Sequence, residues 1–277
     1  MENYLKELLG LDIYFEILNL IPVSKLTEIR IRLKRCISIR SRNDQYKLNK
    51  IVNRKLIDEV IGRVTKHSPY AYKDEMLSGY IRGECGIRIG VVGSYVTSHN
   101  SILTIKEITS LNIRLPHEII GASSQASEIL HDFDNTIVIA PPFGGKTTMI
   151  RDMTRVLSGD YDVVVIDERD EITGGGAFAF GDKIDIASSI PKNLISEAII
   201  RSMSPEIVVM DEVYLDRENN IIEYLSKAGI KILAAIHGNG DQEFMSKLMN
   251  TTSIFTYAIV LSRNPWPGQI KSILRLK

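Results

Sequence analysis

The chain has 277 residues and equal numbers of basic and acidic side chains, 34 Lys plus Arg against 34 Asp plus Glu. No net field draws it to nucleic acid or an anionic membrane, so such contact would need a local patch. A hydrophobic share of 44% with 25% charged residues excludes gross disorder and supplies a core for one large domain or two of ordinary size. Cys36 and Cys85 form neither a disulfide framework nor a metal-ligand spacing.

In chain order, the leucine-rich start is interrupted by Glu7, Asp12 and Glu16 and predicts an amphipathic helix over residues 1–21, ended by Pro22, not a signal peptide. With no apolar run of bilayer-spanning length, a cytoplasmic protein that meets membranes only through partners is expected. From Thr27 the apolar period shortens to two. Ile29, Ile31 and Leu33 alternate with Arg30, Arg32 and Lys34, a half-buried strand with its cations on one face. Ile37 and Ile39 carry a second strand, and residues 53–65 and 69–77 read as helices. Gly83, Gly86, Gly90 and Gly93 punctuate strands built on Ile87, Ile89, Val91 and Val92, and Ile102–Ile105 and Ile108–Leu115 predict two more. This α+β pattern stops at Pro116, so the expected division is a smaller α+β domain over 1–115 and a second domain over 116–277.

A helix over Glu118–Leu130 is expected to open the second domain. The strands that follow, Thr136–Ala140, Val163–Asp167, Ile207–Asp211 and Ile230–Ile236, are nearly continuous apolar runs separated by helices. That is the pattern of a mostly parallel sheet covered by helices on both faces, an α/β fold.

The first of these strands runs into Ala140-Pro-Pro-Phe-Gly-Gly-Lys-Thr-Thr148 and then a helix over Thr147–Leu157, a strand–loop–helix of Walker A type. Each residue type has a reason. Gly144 and Gly145 let successive backbone N–H groups turn toward phosphate oxygens, and the helix N-terminus adds partial positive charge. Lys146 is placed for the β- and γ-phosphates and Thr147 for Mg²⁺, with Ala140, Pro141, Pro142, Phe143 and Thr148 completing the loop. Ala140 stands where the motif usually has its first glycine. A carboxylate at a neighbouring strand end must hold the Mg²⁺ water shell. Ile207-Val-Val-Met-Asp-Glu212 offers Asp211, and Glu212 beside it can polarise the attacking water. Val163-Val-Val-Ile-Asp-Glu168 is a second acidic strand end; Asp167 and Glu168 can orient water or Mg²⁺, or bind Arg201 structurally. His237 ends a fourth strand and is aimed at the same crevice, either as a sensor of the γ-phosphate or as a satisfied structural histidine.

Taken together, these strand ends resemble the Walker A, Asp box, Walker B and His box of the type II and type IV secretion and pilus motor ATPases. More narrowly, the chain resembles the stage III sporulation protein AA family of endospore-forming bacteria. The phrases are Asp167-Glu-Arg-Asp-Glu-Ile172, Arg201-Ser-Met-Ser-Pro-Glu-Ile207, Ala235-Ile-His-Gly238, Glu28-Ile-Arg-Ile-Arg32, Gly86-Ile-Arg-Ile-Gly90, Thr109-Ser-Leu-Asn-Ile-Arg114 and Val260-Leu-Ser-Arg263 with Pro267-Gly268. The resemblance implies a RecA-like P-loop core, ATP and Mg²⁺ as ligands, and hydrolysis. It also implies a homo-hexamer with nucleotide at subunit interfaces, completed by arginines for which Arg88 and Arg114 are the candidates, with Arg201 preceding Walker B as in the motor family. Its biological setting would be the mother-cell cytoplasm. There it would energise a secretion-like channel toward the forespore, with membrane proteins of the same operon as partners and no nucleic acid. Ala235 and Ile236 depart from the residues usual before the histidine.

Two other readings compete, a nucleic-acid-dependent P-loop ATPase and an ATP-binding scaffold with little turnover. The first lacks a basic or Gly-rich module after His237; Glu212 argues against the second, while Ala140 and the residues before His237 leave it open. The cations Arg30, Arg32, Lys34, Arg35, Arg40 and Arg42 form a local basic patch, read as a solvated sheet face first, a subunit interface second and, since aromatics are not interleaved, a nucleic-acid or anionic-lipid contact last. Trp266, between two prolines, reads as a local packing anchor ahead of an exposed side chain that docks a partner.

Overall fold

The computed structural model describes residues 1–41, 44–98, 101–176, 178–188 and 190–277, with backbone alone at 193–196, 198, 199, 215 and 216. Two compact units emerge: Met1–His117 with Gly174–Ala177, and Glu118–Thr173 with Phe178–Lys277.

In the first unit the opening helix is two helices, α1 (Glu2–Leu9) and α2 (Leu11–Leu18), where the sequence predicts one. Gly10 separates them at φ 82, a left-handed conformation that breaks the helical ladder and that glycine adopts without a Cβ penalty. Strands β1 (Glu28–Arg32), β2 (Cys36–Arg40) and β3 (Gln45–Ile51) form a meander; the third was not predicted. Helices α3 (Arg54–Val64) and α4 (Lys73–Leu77) follow, and a 3-10 turn over Pro69–Tyr72 replaces the start of the second predicted helix. Strand β4 (Tyr80–Arg82) precedes a long hairpin, β5 (Arg88–Ser98) and β6 (Ser101–Arg114), so the two strands expected over residues 102–115 are one. The sheet is antiparallel, ordered β3-β2-β1-β6-β5-β4. Ile29, Ile31, Ile37, Ile39, Ile89, Leu111 and Ile113 bury one face against Leu5, Leu8, Ile13, Ile17, Ile57 and Val60. Lys34 lies past the end of β1 in a turn at φ 59, so it does not share the strand face of Arg30 and Arg32. Arg30 pairs with Glu28. Arg42 of the expected patch lies outside the described residues.

In the second unit the expected helix over residues 118–130 is reduced to a 3-10 turn at Ser124–Ala126 and α5 (Ser127–His131). The buried Asp152 carboxylate takes the amides of Gly121 at 3.1 Å and Ser123 at 2.8 Å, donors a helix would have engaged elsewhere. After β7 (Thr136–Ala140) come α6 (Lys146–Leu157), β8 (Val163–Asp167), β9 (Ile184–Ser188), α7 (Lys192–Met203), β10 (Ile207–Met210), α8 (Leu215–Lys227), β11 (Lys231–His237) and α9 (Gln242–Thr251), then β12 (Tyr257–Ser262) and β13 (Gln269–Arg275). The sheet order is β13-β12-β7-β11-β10-β8-β9, parallel throughout except for the antiparallel edge pair β12–β13. Alternate residues divide the core between two faces. Val138, Val165, Val209 and Leu233 meet Met149, Ile150, Met153 and Leu157 of α6. Ile139, Val164, Val208 and Ile232 meet Ile222 and Leu225 of α8 and Leu248 of α9.

Candidate active site

Parallel strands present their carboxyl ends along one edge, and helices start there. The order β7-β11-β10-β8 therefore sets four loops side by side. Ala140 at the end of β7 is in register with His237 at the end of β11, and Met210 of β10 with Ala234 of β11. The histidine strand thus lies between the strand that feeds the lysine loop and the strand that feeds the acid pair.

The loop is built tightly. Gly144 N–H donates to Pro141 O at 2.9 Å, and Gly144 O accepts from Gly268 N at 3.0 Å. A Cβ at Gly144 would come within 2.8 Å of Ala140 Cβ and of Pro141 O. Gly145 caps α6 at φ 89, and a Cβ there would sit 2.6 Å from Gly268 Cα. The concave backbone is of the sort an anion fills. Pro142 and Phe143 are exposed on the loop's outer side, Phe143 at 80%, while Pro141 and Thr148 are half-buried.

Lys146 is buried. Its Nζ donates to Ala140 O at 3.4 Å and meets His237 Nδ1 at 2.9 Å. The other imidazole nitrogen, Nε2, lies 2.9 Å from Glu212 Oε1, whose second oxygen is paired with Arg169. Glu212 holds φ 49, a left-handed conformation uncommon away from glycine that turns its side chain back toward β11. Thr147 Oγ1 donates to Asp211 Oδ2 at 3.2 Å. Burial and then the nearby Glu171 carboxylate push the Asp211 acid up to about 6. Burial also lowers Lys146, against the opposing pull of Asp211, Glu212 and Glu171. Among the described residues no three His, Cys, Asp or Glu form a metal cage. Thr147 with Asp211 is instead the partial oxygen set that suits a Mg²⁺ bringing phosphate and water ligands with it. A buried cation, a hydroxyl–carboxylate pair and a side-chain-free cradle therefore fit a magnesium nucleotide.

Lys146, Thr147, Asp211, Glu212 and His237 are brought together. Glu168 stands at the margin, paired with Lys192 Nζ at 3.1 Å. Asp167 is a structural cap, since its oxygens take Glu171 N, Thr173 N and Thr173 Oγ1, each at 2.8 Å. Arg201 is not brought to the cluster. It is 75% exposed, paired with Glu197, and nine residues along α7 from Lys192, roughly 13 Å of helix rise. Arg88 and Arg114 lie opposite each other on β5 and β6 of the first unit, with Arg88 over the Tyr80 ring. Trp266 is 60% exposed and so does not fit the packing-anchor expectation.

Four residues were missed. Lys192, 4% exposed in the first turn of α7, also reaches Glu212 O at 3.3 Å and Glu218 at 3.7 Å. A lysine at a helix N-terminus opposes the helix dipole, and that was its available signal. Arg151 on α6 is buried 3.9 Å over the Phe178 ring and donates to Ile172 O at 2.8 Å and Glu171 O at 2.6 Å, fixing the turn after β8. Arg169 and Glu171, inside the quoted Asp box, gave no separate signal.

The fold is that of the RecA-like P-loop ATPases. The pilus retraction motor PilT, solved with bound ADP, superposes with a TM-score of 0.63 at 14% identity over 91% of this chain and 77% of that one. The ATPase DotB of Legionella pneumophila gives 0.57 at 15% identity over 90% and 73%. The sequence profile of Sporulation stage III, protein AA matches residues 5–277, and the chain belongs to that family. Stage III sporulation protein AA of Bacillus subtilis (strain 168) is 28% identical over 265 residues, 90% of this chain and 86% of that protein.

Proposed function

We propose that this chain binds Mg²⁺–ATP at the 140–148 loop and hydrolyses it. The observation that carries the reading is the convergence of Lys146, Thr147, Asp211, Glu212 and His237 at one sheet edge, with a single imidazole touching both the lysine and the acid. In this reading the loop amides and Lys146 hold the β- and γ-phosphates. Thr147 and Asp211 would hold Mg²⁺, which when bound neutralises phosphate charge. Glu212 takes the proton of the attacking water, with Arg169 and His237 setting its orientation. His237 trades Lys146 for the γ-phosphate. Glu168 acts through Lys192, and Arg201 has no part in the chemistry.

Membership of the sporulation family supports placing this activity in a motor for a secretion-like channel between mother cell and forespore. The motor would be a homo-hexamer on the mother-cell side, held at the membrane by partners of the same operon. Among the described residues no helix is long and apolar enough to cross a membrane. Arg88 and Arg114 are the candidates for completing a neighbouring copy's site. The test is nucleotide binding and phosphate release by the wild type and Lys146→Ala. The variant is expected to lose binding by at least about 100-fold. Equal affinity for ATP would remove the loop from the site.

A further inference from the structure

Beside the cluster, sharing His237 with it as one wall, is a cavity of about 340 Å³ lined otherwise by Val213, Tyr214, Ile236, Phe244, Lys247, Leu248 and Thr251. Its walls are mainly apolar and aromatic, with His237 and Thr251 the polar exceptions and the Lys247 cation at the rim. Lys247 is exposed on α9 and holds no ion pair among the described residues. Two wall residues are chain neighbours of the cluster, Val213 following Glu212 and Ile236 preceding His237. Val213 is tied to β11 by its N–H to Ala235 O at 2.7 Å. Phe244 packs directly on the residue after His237, since a Cβ at Gly238 would sit 2.4 Å from its ring.

We infer that this cavity receives a partner protein segment in which an aromatic or branched apolar side chain stands next to a carboxylate. The apolar part of the wall excludes water around the anchor, and the exposed Lys247 ammonium at the mouth selects an acidic neighbour over a basic one. The volume admits one or two side chains, the scale of an anchor pocket for a short peptide. Because the walls include the neighbours of Glu212 and His237, a seated segment bears on both residues. That consequence rests on the proposed ATPase reading, whereas the binding does not.

The probe is a fluorescein-labelled peptide, Gly-Ser-Phe-Glu-Leu-Ser-Gly, beside its twin with Lys in place of Glu. Both are titrated into the full chain without nucleotide and followed by anisotropy. The acidic peptide is expected to bind saturably, about tenfold tighter than the basic one. Lys247→Glu, on an exposed helix face, is expected to reverse that preference, and Thr251→Trp, which fills the cavity, to abolish both. Absence of saturable binding at millimolar peptide, the same preference in Lys247→Glu, or undiminished binding in Thr251→Trp overturns the inference. So does a lower light-scattering mass in Thr251→Trp, which would make a second copy the occupant. A chain that binds the peptide but never hydrolyses ATP would refute the proposed function and leave this surface standing.

Discussion

Replacing Glu212 by Gln changes charge while keeping shape. One carboxylate oxygen is 2.9 Å from His237 Nε2 and the other is paired with Arg169. The amide keeps one acceptor for these two donors and turns an NH₂ toward the other. Arg169 is the exposed partner of that pair, 56% against 22% for Glu212, and pairs open to solvent contribute about 0.2–1 kcal/mol. The stability loss should therefore stay near 1 kcal/mol, about 2–4 °C in Tm for a unit of this size. Loss of the proposed general base has a different scale, about 10²- to 10⁴-fold in turnover, or roughly 3–5 kcal/mol at 1.36 kcal/mol per decade. Phosphate release at saturating Mg²⁺–ATP, anisotropy of a fluorescent ATP analogue and a thermal melt separate the two. Turnover should fall at least 100-fold with affinity within about threefold and a nearly unchanged melt. Turnover within threefold of wild type would refute Glu212 as the base. A melt lowered by more than about 8 °C would make it a packing residue.

Gly145→Ala places a Cβ at φ 89, against the Gly268 backbone. The left-handed strain and the overpacking together should cost about 2–4 kcal/mol, and a melt within 1 °C of wild type would contradict the packing described. Asp152 is buried; burial alone would raise its pKa, but bonds from Ser123, Gly121 and Arg155 outweigh that and hold the acid below its ordinary value. Its contribution is therefore present above the unfolded pKa of about 4 and lost as pH falls through the lower folded value. Asp152→Asn should cost about 2–4 kcal/mol at pH 7, and calorimetry should find the gap to wild type smaller at pH 3; an equal gap at both would refute the sign. Lys192→Met leaves Glu168 and Glu218 without their shared cation. It should lower turnover by an order of magnitude or more while leaving ATP affinity near wild type, read from the same two assays.

Four core strands of the second unit were legible because a parallel sheet covered on both faces needs apolar residues at every position, as in Thr136-Ile-Val-Ile-Ala140; β12, buried over Ala258–Leu261, bears the same mark and was not predicted. The edge strands β9 and β13, half-exposed and interrupted by Asp185 and Lys271, lack that mark, and neither was predicted. Helix 118–130 was misread for a reason no local window contains, since the carboxylate that captures its amides is some thirty residues away on α6. Lys146, Thr147, Asp211, Glu212 and His237 could be found because each sits at a strand end or in a motif. Arg151 could not, because its partners are set by which strands are neighbours; Lys192 carried only its place at a helix N-terminus, and Arg169 only its place in the Asp box.

That neighbour order has a chemical consequence. With β11 between β7 and β10, one imidazole spans the gap from Lys146 to Glu212. An ammonium has three donors and no acceptor, so at 2.9 Å from Lys146 the His237 Nδ1 must be the unprotonated nitrogen. The ring proton is then on Nε2, where it is donated to Glu212 Oε1 at 2.9 Å. The tautomer is fixed from both sides. Under the proposed nucleotide binding, a phosphate that draws Lys146 away leaves Nδ1 without its donor, and the ring can then turn, which alters the donor that Glu212 receives. The lysine and the acid never touch, yet neither can change partners without the histidine registering it.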